Sequence, residues 1–488
     1  MLRAYLAIVL CLSGPLARAE TYWVTSSAAT GPGSLPAAVL SMQVNGNTQT
    51  IRFALPPNAQ ITLNAELPDL VGTQVEVIGS DSVNLLIDGA QFPMFRYNGQ
   101  SLLMRDLILA NGRSSSGGCL TVNTTLAASV FDSQFLNCST FGSAASGSSG
   151  GAIRSFGALR LTRTRFTNNQ AGDGGIDNLA LGGGAVGTTG ALLIEDSFFI
   201  GNRVIRTERP TGGCVDALGG ALSLGLSTGS AAIARSSFQD NQIRCGSSSG
   251  AISGSAGALF VIGPASGAAP SVLIESSFFG GNRADNGAGV FARAVSLRIN
   301  NSSFHDQAGR GAGALFLTTG FGASPPTPEL RLSSSSFWQN ATTLGGFGAD
   351  LTLNASVLVR DFRNNLFAAP AAGPSCAPAA FNADAGAISF TTDSSCLVTV
   401  NGQLETAQFA PGSSFGLLPP TSTAAALPVL EAGTGSVVID NGSNLGCPPL
   451  DALGRARPFD GNQDGVAICD VGAAEYRPDL LLGDGFEG

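Results

Sequence analysis

Seven copies of one pattern recur along this chain, each a Gly-Gly-Ala-like step followed by an apolar run that ends in Phe-x-x-Asn or a close variant. The intervals between successive Phe residues of the pattern are 33, 39, 41, 25, 33 and 25 residues. These residues are Phe166, Phe199, Phe238, Phe279, Phe304, Phe337 and Phe362. Periods of about 20 to 50 residues indicate a solenoid, in which each repeat buries its apolar face only against its neighbours.

Two short apolar segments in each repeat have the composition of β-strands. One precedes the Phe, as in Leu159-Arg160-Leu161, and the other begins at the Gly-Gly-Ala step, as in Ala221-Leu222-Ser223-Leu224. Runs of this length bounded by Gly, Ser and Asn are typical of strands. Paired glycines supply positive-φ bends and let the backbone approach the turn below. The pattern therefore predicts a coil of short parallel strands, each paired with its equivalent one turn away.

The Phe and Asn of the pattern are predicted to be structural residues. Equivalent strands in such a coil lie about 4.8 Å apart, so each Phe can stack on the Phe of the next turn. The Asn three residues later lies at a turn, where its amide can hydrogen-bond to the Asn residues above and below. We therefore expect an aromatic stack and a polar ladder, and no ligand-binding role for either residue type.

The repeat resembles that of polymorphic outer-membrane proteins and related secreted bacterial β-helix passengers, over about residues 150 to 365. The stretch Gly33-Ser34-Leu35-Pro36-Ala37-Ala38-Val39 resembles the G-S-L-R-x-A-I opening of such proteins, whose short helix caps the coil. The segment Cys469-Asp470-Val471-Gly472-Ala473-Ala474-Glu475 is similar to their C-D-I-G-A-x-E close. The resemblance implies an all-β fold, a right-handed, single-stranded parallel β-helix with a short N-terminal capping helix.

The two ends of the chain predict export. Residues 1–19 combine Arg3, an apolar stretch and Ala17-Arg18-Ala19, which is the order of a secretory signal peptide. The last residues resemble the Asp-Gly-Phe-Glu tails of exported proteins of some Gram-negative bacteria, which implies a secreted or cell-surface location in such an organism. The predicted regions are a signal peptide (1–19), an N-terminal cap (20–50), a parallel β-helix (51–400), a C-terminal end of the β-helix that closes the fold (401–477) and an acidic tail (478–488).

Eight cysteines follow the predicted leader, and sequence neighbours are separated by 19, 31, 20 and 22 residues. In an exported protein the economical interpretation is four local disulfides, although spacing alone does not determine their connectivity. A metal site is disfavoured, because the chain has no Cys-x-x-Cys pair and only one His. The neighbouring pairs are Cys119 and Cys138, Cys214 and Cys245, Cys376 and Cys396, and Cys447 and Cys469.

Charge and hydropathy exclude two kinds of interaction. The chain contains 25 Arg and no Lys against 34 acidic residues, for a formal net charge of −9, and its Arg residues form no cluster in the sequence. An acidic chain of this kind is a poor candidate for binding nucleic acid or an anionic membrane surface. Beyond the leader no apolar run reaches the roughly 18 residues of a transmembrane helix, so no membrane span is predicted.

The sharpest local motif is Asp460-Gly461-Asn462-Gln463-Asp464-Gly465, followed by Val466 and Asp470. Oxygen ligands at alternate positions, with Gly at the sixth, resemble the first half of an EF-hand-type Ca²⁺ loop. The bidentate Glu expected at the twelfth position is absent, because Val471 stands there. No cofactor is required by the sequence. The motif predicts either a metal-free Asx turn or a Ca²⁺ site formed by Asp460, Asn462, Asp464, Val466 and Asp470.

The sequence contains no recognisable catalytic constellation. The Asn-Thr-Asp, Asp-Asp and Gly-His-Gly signatures of β-helical pectin hydrolases are absent. The single histidine, His305, is predicted to lie on a surface turn rather than to act as a base. Polysaccharide lyases of this fold use Arg or Lys beside Ca²⁺-binding carboxylates, whereas the acidic residues of this chain are scattered and are predicted to be solvated charges on the outer face.

We therefore predict an exported, non-enzymatic protein that acts in adhesion, ligand binding or as a scaffold, with a surface glycan or a protein as its partner. The alternative is a carbohydrate-active enzyme, a polysaccharide lyase or glycoside hydrolase, with a groove along the coil. Two or three carboxylates, or a carboxylate with Arg, within about 5–10 Å on one face would favour the enzyme. The groove would be built by the loops that interrupt the repeat, at 203–218, 262–271 and 318–328.

Overall fold

The computed structural model describes residues 20–42, 48–79, 81, 84–123, 126–141, 150–172, 181–206, 217–227, 229–245, 254–322, 324–386, 388–409, 415, 417–418 and 429–478. The predicted signal peptide, residues 479–488 of the predicted tail, Cys214 and residues 207–216 of the first predicted loop lie outside these ranges.

Four long parallel sheets run along one coil in the described residues. The chain passes from sheet A to sheet B, then to sheet C and sheet D, as in Ala158–Thr162, Arg165–Thr167, Gln170–Ala171 and Val186–Thr188. Each of these strands pairs in parallel with its equivalents in the turns before and after it. The predicted all-β parallel β-helix is confirmed.

The bounds of the strands follow, sheet by sheet. Sheet A contains Glu20–Val24, Thr48–Phe53, Gln74–Ile78, Ser101–Arg105, Ala127–Phe131, Ala158–Thr162, Leu192–Glu195, Ser230–Ala234, Ser271–Glu275, Ser296–Asn300, Glu329–Ser333 and Leu358–Arg363. Sheet B contains Gln60–Thr62, Leu86–Asp88, Ile108–Ala110, Gln134–Leu136, Arg165–Thr167, Phe198–Ile200, Ser237–Gln239, Phe278–Gly280, Ser303–His305, Ser336–Trp338, Leu366–Ala368, Ser389–Thr391 and Thr406–Gln408. Sheet C contains Arg113–Ser114, Ser139–Thr140, Gln170–Ala171, Arg203–Arg206, Gln242–Cys245, Arg283–Ala284, Ala308–Gly309 and Ala341–Thr342. Sheet D contains Phe95–Tyr97, Leu120–Val122, Ile153–Ser155, Val186–Thr188, Leu222–Gly225, Leu259–Ile262, Val290–Arg293, Leu315–Thr318, Leu351–Leu353 and Cys376–Ala377.

Smaller elements complete the described chain. A short parallel pair joins Leu181–Gly182 to Ala217–Leu218. A three-stranded sheet contains Ala380–Asn382, Leu397–Val400 and Gln403–Leu404, and an antiparallel pair joins Leu417–Leu418 to Glu431–Ala432.

One α-helix, α1 at Leu35–Met42, is present in the described residues. The hydroxyl oxygen of Ser34 accepts a hydrogen bond from the backbone N–H of Ala37, which is the usual role of Ser before the first turn of a helix. Leu35, Val39 and Met42 are buried on one face of α1, and α1 contacts the first strand of sheet A. The short helix predicted near the N-terminal end is therefore present.

A stack of eight Phe rings fills the coil where sheet B faces the interior, with centroids 4.7–5.0 Å apart in successive turns. This confirms the predicted aromatic stack but changes its membership. Phe362 lies on a strand of sheet A, and Phe367 takes its expected place in the stack. The prediction was wrong there because Phe362 and Asn365 have the spacing of the repeat without its position in the coil. Asn365 accepts a hydrogen bond from Ser335 N in a separate ladder at the A–B turn. The stack contains Phe135, Phe166, Phe199, Phe238, Phe279, Phe304, Phe337 and Phe367.

The predicted Asn ladder is also present, and each of its Asn residues is completely buried. In Asn241, Nδ2 donates to Phe199 O at 2.9 Å and to Asn282 Oδ1 at 3.0 Å, while the backbone N–H donates to the same Oδ1 at 2.9 Å. Asn169 and Asn202 repeat this geometry. The ladder therefore satisfies backbone groups that the coil buries at these B–C turns.

The two glycines of the Gly-Gly-Ala step have different functions at Gly183 and Gly184. Gly183 has a φ of +72°, a region that L side chains rarely adopt. A Cβ at Gly184 would overlap the carbonyl oxygen of Gly220 in the next turn. The first glycine permits the bend, and the second permits the close approach of neighbouring turns.

The chain from residue 429 to 478, which we call the closing segment, packs on the outside of the coil. Its apolar residues Val438, Ile439 and Tyr476 share a core with Leu366 and Ala368 of sheet B. Backbone and side-chain hydrogen bonds fasten it to consecutive turns: Ala473 N donates to Ser336 Oγ, Asn301 Nδ2 to Leu450 O, and Asn364 Nδ2 to Ser443 O. The closing segment therefore covers the A–B turns of the last part of the coil.

Candidate ligand-binding face

The register of sheet A aligns one outward-facing residue from each of seven consecutive strands. These residues are partly or fully exposed, and their neighbours in each strand point into the core, as Leu159 and Leu161 do on either side of Arg160. We call the set the outer row. It consists, in order, of Ser129, Arg160, Leu193, Ala232, Leu273, Arg298 and Arg331.

The first four positions of the outer row line a shallow depression of about 310 Å³ with mostly small and apolar side chains. Ser129, Arg160, Leu193 and Ala232 all contribute to it. Alanine and serine residues at neighbouring positions of sheet A, including Ala158 and Ser230, have small side chains that project little from the sheet. A flat, largely apolar floor of this kind suits an extended ligand that lies across the strands.

Arg298 and Arg331 lie next to each other at one end of the outer row. Both side chains are exposed. Among the described residues, neither guanidinium has an ion pair with a carboxylate or a hydrogen bond to another side chain. Asp361, the register neighbour of Arg331 in the next strand, is paired with Arg363, so the two adjacent guanidinium groups have no ion pair of their own within the described ranges.

A ladder of ion pairs borders the outer row along the A–B turns. The guanidinium of Arg163 forms a bidentate pair with Asp132, at 2.5 Å and 2.8 Å. Arg235 pairs in the same manner with Asp196, at 2.7 Å and 3.0 Å. These hydrogen bonds raise the pKa of both Arg residues. The carboxylates of the ladder are acceptors for guanidinium groups, which disfavours a role as general bases.

Glu195 also belongs to this edge, and it contacts two Arg residues. Its Oε2 lies 3.1 Å from Arg160 Nη2, and its Oε1 lies 3.6 Å from Arg235 Nη2. The sequence predicted Glu195 and Asp196 to be solvated charges, and the structure places both in ion pairs. Such exposed pairs are weak, so their main effect is to hold the arginines in place along the row.

A second cavity, of about 240 Å³, lies where the closing segment meets the coil. Arg235, Glu275 and Ser276 line it on the side of the coil, and Pro448 and Leu450 line it on the other side. It therefore brings two carboxylates, Glu275 and Asp451, together with the guanidinium of Arg235 beside the outer row, and Asp451 is itself paired with Arg455.

Buried charges organise the closing segment. Arg457 Nε donates to Glu475 Oε2 at 2.7 Å, with both side chains completely buried, and Arg457 Nη1 donates to Asn301 Oδ1 on the coil. Asp470 accepts backbone hydrogen bonds from Asp440 and Tyr476. Burial and the neighbouring Glu475 raise the pKa of Asp470 to about 7. The acidic residues of the C-terminal motif therefore act in folding and in attachment to the coil.

The predicted Ca²⁺ loop forms a series of tight turns. Asp460 Oδ1 and Oδ2 accept the backbone N–H groups of Asp464 and Gly465, and Asn462 Oδ1 also accepts that of Asp464. Asp464 Oδ1 accepts the N–H of Val466. Within the described ranges no group of three or more His, Cys, Asp or Glu side chains is arranged to hold a metal ion. The structure brings Asp460, Asn462 and Asp464 together in one loop.

Asp470, the fifth residue of the predicted Ca²⁺ set, has a different environment from the loop. Both of its carboxylate oxygens accept the buried backbone hydrogen bonds described above. The acidic residue that contacts the loop instead is Asp440, whose Oδ2 accepts the N–H of Asn462 at 2.7 Å. The sequence offered no signal for Asp440, because it lies 22 residues before Asn462.

Three of the four neighbouring cysteine pairs are disulfides in the structure: Cys119–Cys138, Cys376–Cys396 and Cys447–Cys469. The fourth pair stays a prediction, because Cys214 lies outside the described residues. Disulfides are typical of proteins that fold in oxidising compartments. They are consistent with the predicted extracellular location.

His305 lies at the end of a sheet B strand, not on a turn as predicted. Its ring stacks on Trp338 of the next turn, with centroids 4.7 Å apart, and burial lowers its pKa. This environment favours the neutral imidazole and gives the ring a packing role on the outside of the coil.

The alignment of the outer row could have been predicted from the sequence. Each of its members stands six residues before a Phe of the stack, as Arg298 does before Phe304 and Arg331 before Phe337. Aligning the repeats on Phe would have placed the two arginines side by side. The depression at Leu193 and Ala232 could not be found in this way, because it depends on how the strands pack.

Comparisons with known proteins identify no family. No protein-family model matches this chain, and no curated protein matches it. The chain is similar to a solved structure, the crystal structure of pectate lyase Pel9A, at 12% sequence identity and a TM-score of 0.40, over 94% of this chain and 96% of that chain. A likeness at this level carries no information about activity. The described residues hold no helix with the length and hydropathy needed to span a bilayer.

Proposed function

We propose that this protein is an exported, non-enzymatic binding or adhesion protein, and that the outer row of sheet A is its binding face. The observation that carries the proposal is the adjacent, exposed pair Arg298 and Arg331, which forms no ion pair among the described residues. The strand of Leu273 separates this pair from the apolar depression that Leu193 and Ala232 line on the same face. Cations beside a flat apolar floor suit an extended acidic ligand such as a surface glycan.

The spacing of the strands supports an elongated ligand. Neighbouring strands lie about 4.8 Å apart, so the outer row offers contacts at regular intervals over several turns. A chain-like ligand can use several weak contacts at once, because each later contact forms at a high effective concentration. A small molecule would use only one or two positions of the row.

The ion-paired edge of the row argues for binding rather than hydrolysis. Glycoside hydrolysis ordinarily uses two carboxyl groups, one as acid and the other as base or nucleophile. Along this edge Asp132, Glu195 and Asp196 each accept hydrogen bonds from, or pair with, Arg. Their charges stabilise neighbouring cations and are poorly placed to act on a substrate.

A carbohydrate-active enzyme is the second candidate, and the cavity beside the closing segment favours it. There Glu275 and Arg235 line one space of about 240 Å³. A carboxylate beside Arg on one face is the arrangement that a lyase or hydrolase would need. The same cavity would then lie at one side of the groove formed by the outer row.

One screen distinguishes the two candidates. The purified protein is tested against a panel of acidic and neutral glycans, both for binding and for newly formed reducing or unsaturated ends. We expect binding of acidic members without product. Product formation that is lost in Glu275→Gln would instead establish the enzyme, and the absence of any binding would contradict the proposal.

A further inference from the structure

Two insertions on the sheet D side of the coil flank one short turn. Ile262, Arg293 and Thr318 are register neighbours at the ends of three consecutive strands. After Ile262 and after Thr318 the chain makes longer connections before it enters sheet A, and the structure describes residues 263–270 of the first loop and residues 319–322 and 324–328 of the second. After Arg293 only two residues intervene before the next strand begins at Ser296.

The two loops meet above that short turn. Ser266 and Ser324 form a parallel bridge between them. Gly320 lies close to Ala294 of the short turn. A Cβ added at Gly320 would come within 2.9 Å of the Ala294 Cβ. The loops of the outer two turns therefore converge over the middle turn, at the position of Arg293.

This arrangement places Arg293 between two aromatic rings. The guanidinium carbon lies 3.9 Å from the ring centroid of Phe321, in the second loop, and 5.4 Å from that of Phe291 in its own strand. Phe321 is 71% exposed, so much of its ring surface is accessible beside the guanidinium. We call Arg293, Phe321 and the two loops the lateral niche.

The positive charge of Arg293 is not paired with a carboxylate within the described residues. Its guanidinium has no ion pair and no hydrogen bond there, and its Nε is buried without a partner. Burial lowers the pKa of Arg293. Only Nε is both buried and unpaired, so the terminal Nη atoms reach solvent. A partly desolvated guanidinium that presents two free Nη groups is suited to bidentate binding of a planar oxyanion.

We infer that the lateral niche binds the carboxylate of an acidic sugar residue. The carboxylate accepts hydrogen bonds from the Nη atoms of Arg293, and the apolar face of the sugar ring packs on the exposed part of Phe321. A sugar suits the niche because one ring carries both a carboxylate for Arg293 and an apolar face for Phe321, and the two loops contribute small, Pro and Thr residues without acidic side chains. The site lies on sheet D and does not rest on the proposed role of the outer row.

The test is calorimetric titration of the protein with four probes: tetragalacturonate, tetramannuronate, the carboxyl-reduced neutral form of the first, and tetra-aspartate. We expect at least one uronate probe to bind, and the neutral form and the peptide to bind at least about tenfold more weakly. Arg293→Gln should lower uronate affinity by about tenfold or more. The matched control Arg244→Gln removes one exposed Arg from sheet C and should change it less than about twofold.

Further variants distinguish binding in the niche from binding at the outer row and from a loss of folding. Arg298→Gln/Arg331→Gln should retain niche binding, so failure of the outer row and failure of the niche give different results. Phe321→Leu should weaken uronate binding while leaving the melting temperature nearly unchanged. The inference is overturned if no uronate probe binds, if tetra-aspartate binds as well as the uronates, or if Arg293→Gln lowers only the melting temperature.

Discussion

Gln307 interrupts the Asn ladder, and its replacement by Asn tests how much the ladder stabilises the coil. Gln307 occupies the Asn position of the pattern between Asn282 and Asn340. Its Nε2 donates to His305 O in its own turn, and its Oε1 is buried without a hydrogen-bond partner. The backbone N–H of Gln307 still donates to Asn340 Oδ1 at 2.9 Å. The two hydrogen bonds from Asn282 into the side chain of Gln307, and the side-chain hydrogen bonds from Gln307 to Phe279 O and Asn340 Oδ1, are not formed.

The magnitude follows from the intact part of the ladder. Asn282 Oδ1 accepts two hydrogen bonds from Asn241, and Asn241 Nδ2 makes two hydrogen bonds of its own. Gln307→Asn should therefore form four hydrogen bonds and lose one. At about 0.5–1.5 kcal/mol for each of the three net bonds, less about 1 kcal/mol for one buried methylene, the expected stabilisation is about 0.5–3.5 kcal/mol.

The assay is urea unfolding followed by circular dichroism, with Gln242→Asn as the matched control. Gln242 lies on sheet C and is partly exposed, so the same chemical change there should alter the unfolding free energy by less than about 0.5 kcal/mol. A midpoint for Gln307→Asn equal to or below that of wild type, with the control unchanged, would show that the ladder gives no net stabilisation.

Three further predictions concern buried charge and the predicted Ca²⁺ loop. Asp350 is completely buried, and burial raises its pKa to about 7. The folded state therefore holds a proton that the unfolded state releases above about pH 4. The stability of the protein should fall as pH rises from about 4 to 7, and Asp350→Asn should flatten this part of a profile of melting temperature against pH. Glu475→Ala leaves Arg457 buried without its ion pair and should cost about 3–5 kcal/mol in urea unfolding, whereas the exposed Glu66→Ala should cost little. Addition of Ca²⁺ should raise the melting temperature of wild type but not of Asp464→Ala, and equal responses of the two proteins would rule out a site in the loop.

The architecture could be predicted because its signals repeat. Each Gly-Gly-Ala step and each Phe-x-x-Asn contributes the same contact in every turn, so several tandem copies reinforce one interpretation. Phe362 and Asn365 match the local pattern by chance, and the predicted place of Phe362 in the aromatic stack was therefore wrong. Phe135 and Phe367 were missed for the converse reason, since neither is followed by Asn three residues later.

The candidate sites depended on contacts that no local pattern encodes. Arg457 meets Asn301, which lies 156 residues earlier, because the closing segment returns along the outside of the coil. Arg293 meets Phe321 because two loops of different turns converge. The three observed disulfides, by contrast, join cysteines only 19 to 22 residues apart, within the reach of sequence reasoning.

The most direct test of the proposed function is the affinity of the best acidic glycan in an Arg293→Gln background, which removes the cation of the lateral niche. It is measured for that background alone, with Arg298→Gln/Arg331→Gln added, and with the matched control Arg165→Gln/Arg244→Gln added. The control removes two exposed arginines from sheets B and C, so it changes the net charge by the same amount. We predict a loss of about tenfold or more for the outer-row variant, little change for the control, and no cleavage of the glycan by wild type. Equal affinities of the two variants, or glycan cleavage by wild type, would contradict the proposal that the outer row is a non-catalytic binding face.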